Sequence, residues 1–224
     1  NVSREEQDEF ALESQRRAQE ALASGAVAAE ITPVTISSRR GDVVVDADEH
    51  PRAGLTLEKL AGMRPVFKKD GTVTAGNASG INDGAAMLVL TRLSVAKERG
   101  LTPLAELVDF TKVGIEPGIM GYAPKPAIEK ILERNGLSKD DIGWYEINEA
   151  FAAQALPVAR DLDLDPAKVN PLGGAIAWGH PIGATGAIIS MRTIENIRKN
   201  DLEWGLASMC IGGGQAVASL WRRL

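Results

Sequence analysis

The most reactive side chain in this 224-residue sequence is its single cysteine, Cys210, in the stretch SMCIGGGQAV. Gly212, Gly213 and Gly214 follow it one residue later. A cysteine at a predicted strand end is often a small buried hydrophobic residue, whereas a thiol beside a basic group works as a base or a nucleophile. The glycines favour the second interpretation, because they let a ligand approach closely and can aim backbone N–H groups at a substrate oxygen. Cys210 taken alone leaves both interpretations open.

The second candidate is His180, one of two histidines, in the glycine-rich stretch GGAIAWGHPIGATG. An isolated histidine more often has a structural role, but a glycine-rich loop before a predicted helix favours a general base or a donor to a developing oxyanion. The loop has neither the Lys-Ser/Thr ending of a P-loop nor the GxGxxG of a dinucleotide site, so we expect no phosphate site there. One cysteine and two separated histidines give no metal-ligand spacing, and we expect no metal.

Two further polar features have two interpretations each. Asn148 ends the predicted strand IGWYEIN, where it either caps the next helix or holds a water or a substrate oxygen. Arg64, Lys68 and Lys69 make a local basic patch in a loop rich in Gly, Asn, Ser and Asp. This patch is either a solvated surface or a site that recognises a phosphate or an extended polar ligand.

Alternating strand and helix patterns predict an α/β protein. The first helix begins at a capping box of Ser3 and Glu6 and ends at Gly25. In sheets of this class ligands bind at the carboxyl ends of strands. That rule points to three places: the strand end at Asn148, the His180 loop and the strand end at Cys210. The predicted strands are EITPVTI, DVVVDAD, the buried AAMLVLT, LAELVDFTKV, IGWYEIN, WGLASMC and AVASLWRR; the later helices are LEKLAGM, SVAKERG, KPAIEKILERNG, EAFAAQALPVARDL and GAIISMRTIENIRKN.

The composition limits the partners. With 25 Lys and Arg against 30 Asp and Glu, the net charge of −5 argues against a nucleic-acid partner. No apolar run approaches the roughly 20 residues that span a bilayer, and the stretch NVSREEQDEF lacks the apolar core of a secretory signal. One cysteine cannot form an internal disulfide, which fits a reducing compartment. We therefore expect a cytoplasmic protein without membrane association.

Four motifs together carry a family resemblance: GTVTAGNASGINDGAA, NEAFAAQ, GGAIAWGHPIGATGA and CIGGGQ. In this order and spacing they closely resemble the thiolases, the acetyl-CoA acetyltransferase and 3-ketoacyl-CoA thiolase family. The resemblance implies an α/β fold of the layered αβαβα type, with residues 1–82 as the later, CoA-binding part of the loop domain and residues 83–224 as the C-terminal domain. The family's first half, with its nucleophilic cysteine, has no counterpart in this sequence.

The resemblance also implies a mechanism of reversible Claisen condensation and thiolytic cleavage. Cys210 matches the acid/base cysteine of the family, and His180 would activate the nucleophilic cysteine of the missing segment. His180 and a water held by Asn148 resemble one oxyanion hole, and the backbone N–H of Gly212 resembles part of the other. No cofactor is implied, because coenzyme A thioesters are substrates, with acetoacetyl-CoA the substrate we expect.

The family's coenzyme A contacts fall on six positions of this sequence: Arg52, Phe67, Ala75, Ser79, Ala150 and Phe151. Glu149 is interpreted as a structural residue. Two positions depart from the family pattern, since Trp178 stands where Leu is usual and Ile188 where a basic residue is common. The indole either reshapes the acyl pocket or repacks the loop.

Three hypotheses follow for the chain as a whole. It is part of a thiolase whose other half comes from a second chain or segment, and the complete unit forms a homo-oligomer. Alternatively it is a non-catalytic acyl-CoA-binding or scaffold subunit, or a fragment that is inactive alone and exposes an apolar face.

Overall fold

The computed structural model describes residues 2–224, so Asn1 of the predicted loop-domain portion lies outside the described residues. Helix α1 (Arg4–Ser24) begins where the capping box predicts: the Glu6 N–H donates to Ser3 Oγ, and the Ser3 N–H donates to Glu6 Oε2 at 2.6 Å. It ends at Gly25, whose φ of 70° lies in the left-handed region that glycine adopts easily. Both predicted ends of this helix are confirmed.

Residues 34–98 contain short elements separated by loops. Strands β1 (Val34–Ile36) and β2 (Val43–Val45) form an exposed antiparallel pair, and helices α2 (Leu57–Ala61) and α3 (Leu93–Glu98) follow. The predicted buried strand AAMLVLT is wrong. Residues 85–91 have no regular secondary structure, and Met87 and Val89 are each 86% exposed. An apolar run becomes a strand only beside a partner edge, and no strand among residues 2–224 pairs with it.

The later part of the chain forms a four-stranded mixed sheet that positions the site. It comprises β3 (Ala105–Gly114), β4 (Ile142–Ile147), β5 (Trp204–Ile211) and β6 (Gln215–Arg223), in the order β3-β6-β5-β4. Strands β4 and β5 are parallel, and the other pairs are antiparallel. The remaining helices are α4 (Pro124–Asn135), α5 (Ala152–Asp161), α6 (Ala175–Trp178) and α7 (Thr185–Lys199).

Both faces of this sheet are buried under helices. Along β4, Tyr145 and Ile147 belong to the cluster that contains Ile128 and Ile131 of α4, whereas Trp144 packs with Ile194 and Ile197 of α7. This alternation follows the period of two in a strand. The result is a helix–sheet–helix layering, and the predicted α/β fold class is confirmed. None of the helices among residues 2–224 has both the length and the apolar character needed to cross a bilayer.

Candidate active site

The carboxyl ends of the parallel strands β4 and β5 bring two predicted site residues to one edge of the sheet. Ile147 pairs with Ser208, and the N–H of Asn148, the next residue, donates to the Ser208 carbonyl at 2.9 Å. Cys210 stands two residues further along β5. The amide and the thiol therefore extend from neighbouring strand ends, as the sheet rule predicts.

His180 joins this edge through Asn148. Asn148 Nδ2 donates to His180 Nε2 at 3.3 Å, while Oδ1 of the same amide is buried with no hydrogen-bond partner among the described residues. Asn148 is not a helix cap, because α5 begins at Ala152 with Phe151 as its N-cap residue. That alternative is wrong, and the amide faces the histidine instead.

The hydrogen bonds around His180 determine its tautomer. The Thr185 hydroxyl donates its one proton to the Pro181 carbonyl at 2.9 Å, so at 2.7 Å it accepts from His180 Nδ1–H. Nε2 then carries the lone pair, which faces Asn148. Burial lowers the pKa of His180, since the charged imidazolium loses hydration. The lowered pKa favours the neutral imidazole, and Nε2, which accepts from Asn148 Nδ2 here, is the nitrogen that can take a proton.

Cys210 is a buried thiol rather than an ionised one. Its side chain lies near the end of β5, opposite Ala216 of β6, and the residue is 8% exposed. Burial raises the pKa of Cys210, because a thiolate is poorly solvated there. Cys210 and His180 come to the same edge through Asn148, and no hydrogen bond joins the two directly among residues 2–224.

The three glycines after Cys210 have different structural roles. A Cβ on Gly214 would lie 2.3 Å from the carbonyl oxygen of Ile115, so backbone packing requires glycine there. Gly213 has a φ of 82°. Gly212 lies in the exposed turn between β5 and β6, and a Cβ on it would meet no atom within 4 Å. Open space for a ligand is thus found at Gly212, the glycine whose N–H the family resemblance implies as an oxyanion donor.

Five of the six predicted coenzyme A residues lie on two adjoining segments. The Ser79 N–H donates to the Ala150 carbonyl at 3.0 Å, and the Phe67 ring meets Phe151 edge to face, with centroids 6.0 Å apart. Phe67 is 72% exposed, and Ala75 is exposed on the same loop. Ala150 and Phe151 directly follow Asn148 and Glu149 in the chain, so the two segments adjoin the site edge. Their contact with coenzyme A stays a prediction.

The sixth residue, Arg52, lies apart from them. Its N–H donates to Gln15 Oε1 at 2.8 Å, and it borders a groove of about 440 Å³ along α1 that also contacts Leu12, Gln19 and Leu55. The basic patch of Arg64, Lys68 and Lys69 is exposed beside Phe67. Its role as a ligand site stays a prediction.

Glu149 anchors the loop that carries His180. Its carboxylate accepts from Ser14 Oγ at 2.6 Å, from Asn170 Nδ2 at 2.9 Å and from the Ile176 N–H at 3.3 Å. Burial raises the pKa of Glu149, while the donors from Ser14 and Asn170 oppose this shift. These contacts tie α1 to the segment before His180, in keeping with the structural interpretation.

Sequence reasoning missed Thr185, Ser14 and Asn170. The one signal for Thr185 in the sequence is a hydroxyl five residues after His180, within the glycine-rich motif, and that signal does not predict a contact with the imidazole. Ser14 and Asn170 are 135 and 21 residues from Glu149 in the chain, so only the fold brings them together. Among residues 2–224 no group of three or more His, Cys, Asp or Glu side chains is arranged to hold a metal.

Comparisons with known proteins agree with this geometry. Residues 1–94 match the family "Thiolase, N-terminal domain" and residues 101–223 match "Thiolase, C-terminal domain". The predicted boundary between residues 82 and 83 stays a prediction. The chain is 52% identical to an acetyl-CoA acetyltransferase of Paracoccus denitrificans over 97% of its own length and 56% of that protein. It is 49% identical to the beta-ketothiolase BktB of Cupriavidus necator over 100% of its length and 57% of that protein.

Solved structures give the same result. The crystal structure of the Bacillus anthracis acetyl-CoA acetyltransferase superposes with a TM-score of 0.96 at 52% identity, covering 100% of this chain and 57% of that one. Human mitochondrial 3-ketoacyl-CoA thiolase superposes with a TM-score of 0.92 at 41% identity, covering 100% of this chain and 56% of that one. The chain thus spans little more than half the length of these relatives. The matched domains, the identities and the shared fold together establish that the chain belongs to the thiolase family.

Proposed function

We propose that the protein is a thiolase-type acyltransferase that condenses two acetyl-CoA molecules reversibly and cleaves acetoacetyl-CoA by thiolysis. The observation that carries this proposal is the linked set of Thr185, His180 and Asn148 at the sheet edge where the strand of Cys210 also ends. The names of the relatives support an acyl-CoA substrate. The nucleophilic cysteine would come from a segment outside these 224 residues, because Cys210 is the one cysteine among them.

His180 has the properties of a general base for that nucleophile. Thr185 holds the proton on Nδ1, and Nε2 is left to accept the proton of the incoming thiol. The lowered pKa keeps the imidazole neutral and ready to accept. After acyl transfer, the acyl group forms a thioester with the nucleophilic cysteine, and free coenzyme A leaves.

Cys210 has the properties of the acid/base residue. In thiolysis its S–H proton goes to the enolate carbon of the leaving acetyl-CoA, and the raised pKa of the thiol keeps that proton in place until then. In condensation Cys210 first loses its S–H proton to solvent, and the thiolate then takes a proton from the methyl group of acetyl-CoA. The resulting carbanion attacks the acyl thioester and displaces the nucleophilic thiolate.

Two sets of donors would stabilise the oxyanions. Nε2 of His180, once protonated, donates to one thioester oxygen, together with a water bound by the otherwise unpartnered Oδ1 of Asn148. The open turn at Gly212 supports a backbone N–H donor in the other oxyanion hole. Arg52 and Phe67 would contact the nucleotide end of coenzyme A, Ala75 and Ser79 the pantetheine, and Ala150 and Phe151 the region near the thioester.

The test uses the full-length protein that contains this chain. Cys210→Ala removes the proton donor but not the nucleophile, so we expect condensation and thiolysis to be lost while incubation with acetyl-CoA still adds an acetyl group, detected by intact-mass spectrometry. Cys210→Ser is the matched variant that keeps a hydroxyl of similar size. Loss of acylation in Cys210→Ala, or retention of condensation, contradicts the assigned role.

The 224-residue chain by itself is expected to show no thiolysis of acetoacetyl-CoA. Turnover by the pure chain would contradict a nucleophile on another segment. Binding of acetyl-CoA by the full-length protein without any acylation would instead favour a non-catalytic acyl-CoA-binding subunit. Homo-oligomer formation and a cytoplasmic location stay predictions.

A further inference from the structure

A cluster of three side chains, the buried Glu30 and Arg192 and the partly buried Trp178, lies beside the segment that carries His180. Arg192 of α7 donates from Nε and Nη2 to the same oxygen, Oε2 of Glu30, at 3.0 and 2.9 Å. Its guanidinium lies over the Trp178 ring, 5.2 Å from the centroid, and the Trp178 indole N–H donates to the Leu172 carbonyl at 2.8 Å. The charged side chains of Arg192 and Glu30 are 8% and 5% exposed. We call this set the inner cluster.

The position of Trp178 links the inner cluster to His180. Trp178 is the last residue of α6, and only Gly179 separates it from His180. Gly179 has a φ of 92°, and a Cβ on it would lie 2.3 Å from Asn82 Oδ1. The N–H groups of Gly179 and His180 donate to the carbonyls of Ala175 and Gly80, at 2.8 and 3.2 Å. These two bonds fix the link between Trp178 and His180, so a shift of the indole is transmitted to the imidazole.

Helix α7 contacts this segment at two places. Thr185, at its first position, accepts from the His180 ring, and Arg192 stacks on Trp178. The two residues are seven positions apart and lie on the same face of the helix. One helix face thus fixes both the ring of His180 and the residue two positions before it.

One of the two departures from the family pattern, Trp178, belongs to the inner cluster, and the other, Ile188, lies on the same helix as Arg192. The basic residue that is common at position 188 is replaced by Ile188, and Arg192 stands four residues later, one turn along the same side of α7. Trp178, in place of leucine, supplies the aromatic face on which Arg192 stacks. The indole therefore faces Arg192 of α7 with its ring and the Leu172 carbonyl with its N–H.

We propose that Glu30, Arg192 and Trp178 form a positioning unit for His180, with Trp178 acting through the loop geometry and not through contact with the acyl chain. This inference rests on the proposed function, in which His180 is the general base. It predicts that disturbing the inner cluster lowers kcat and leaves the preference among acyl chain lengths unchanged.

The chain offers a matched control, because Glu106, Arg222 and Trp204 form a second cluster of the same three residue types on the surface, which we call the outer cluster. In the full-length protein, we compare Arg192→Met with Arg222→Met, and Trp178→Leu with Trp204→Leu. Misplacing a catalytic group by about 1 Å costs up to ~100-fold in rate, so we expect kcat to fall roughly 10- to 100-fold for the inner variants. Changes at the outer cluster should leave kcat within about twofold.

Three readouts separate positioning from loss of folding. For the inner variants KM should stay within about threefold of wild type, as expected when transition-state geometry and not substrate binding is lost. The ratio of kcat/KM for acetoacetyl-CoA and a longer 3-ketoacyl-CoA should not change in Trp178→Leu. Arg192→Lys keeps the charge without the planar stacking and should recover only part of kcat.

Several outcomes would overturn the proposal. These are equal losses of kcat at the two clusters, a loss of kcat that matches the loss of folded protein, and an altered chain-length ratio in Trp178→Leu. If Arg192→Met does not fold, Trp178→Leu and Glu30→Gln carry the test.

If the wild-type protein has no thiolase activity, the proposed function fails, and the positioning role is then judged by NMR titration of the His180 imidazole. Trp178→Leu should raise the pKa of His180 toward its ordinary value, and an unchanged titration would refute the inference by itself.

Discussion

The inner and outer clusters combine the same three residue types in different surroundings. In both, an arginine pairs with a glutamate and lies over a tryptophan ring, at 5.2 Å for Arg192 over Trp178 and 5.8 Å for Arg222 over Trp204. The paired side chains are 8% and 5% exposed in the inner cluster and 44% and 43% exposed in the outer one. The inner arginine bridges α7 and the turn at Ala28–Glu30, whereas the outer one joins the paired strands β3 and β6.

Burial changes what the same contacts do for the protein. Water solvates and screens the outer pair, so its loss leaves two hydrated side chains. In the inner cluster, loss of one partner leaves an uncompensated charge away from water, and Glu30 Oε1 already has no partner there among the described residues. The inner cluster is thus the one able to fix a loop conformation, because its disruption is costly.

The largest expected effect is on the free energy of unfolding when each arginine is replaced. Arg192→Met leaves Glu30 buried without its counter-charge and should destabilise the protein by about 3–5 kcal/mol, whereas Arg222→Met should cost about 0–1 kcal/mol. Urea unfolding followed by circular dichroism measures both values. A cost below about 1 kcal/mol for Arg192→Met would remove the distinction between the clusters.

The next largest effect is the pH dependence of the free energy of unfolding that Glu146 causes. This residue lies on the face of β4 that packs against α7. Burial raises the pKa of Glu146 from 4.5 to about 8, although Arg192 and the indole N–H of Trp144 oppose the shift. The folded state then holds the proton more tightly than the unfolded chain. The free energy of unfolding therefore falls as the pH rises from 4.5 to about 8, by up to about 1.4 kcal/mol per pH unit, and is constant above that range.

Glu146→Gln removes this titration and tests the sign. Relative to the variant, the wild-type protein should lose stability between pH 5 and pH 8 in urea unfolding experiments. The two curves should run parallel above pH 8, which provides the internal control. Parallel curves over the whole range would mean that the carboxyl is not held protonated.

A smaller effect is expected when the indole N–H is removed. Trp178→Phe keeps an aromatic face for Arg192 but leaves the Leu172 carbonyl without its donor, at a cost of about 1–2 kcal/mol. Trp204→Phe alters a partly exposed ring and should cost less than about 1 kcal/mol. Thermal unfolding measures the Tm of each variant. Equal decreases in Tm for the two variants would indicate that the hydrogen bond to the Leu172 carbonyl does not stabilise the protein.

The smallest effect is the salt dependence of each ion pair. A double-mutant cycle on Glu106 and Arg222 should give a coupling of about 0.2–1 kcal/mol at low salt, which falls toward zero at ~1 M salt. The same cycle on Glu30 and Arg192 should change little, because buried charges are poorly screened. Equal salt sensitivity would indicate that water reaches the inner cluster.

Local patterns were sufficient to predict much of the fold. The capping box at Ser3, the stop at Gly25 and the strand IGWYEIN all depend on neighbouring residues. The first two are found as predicted, and the strand is found with its end one residue earlier, at Ile147. The strand predicted for AAMLVLT is wrong because that prediction also used only neighbouring residues. Its apolar character is a local property, but a strand forms only where a partner edge is available.

The sequence by itself determined the family, the α/β class and the candidate residues Cys210, His180 and Asn148, because motif spacing and strand ends can be recognised along the chain. Only the tertiary structure decided that Thr185 holds the proton of His180, that Ser14 and Asn170 bind Glu149, and that Trp178 turns toward Arg192. Hydrogen-bond direction and burial depend on residues far apart in the chain. The two clusters show this, since the same Arg–Glu pair beside a tryptophan is buried in one place and exposed in the other.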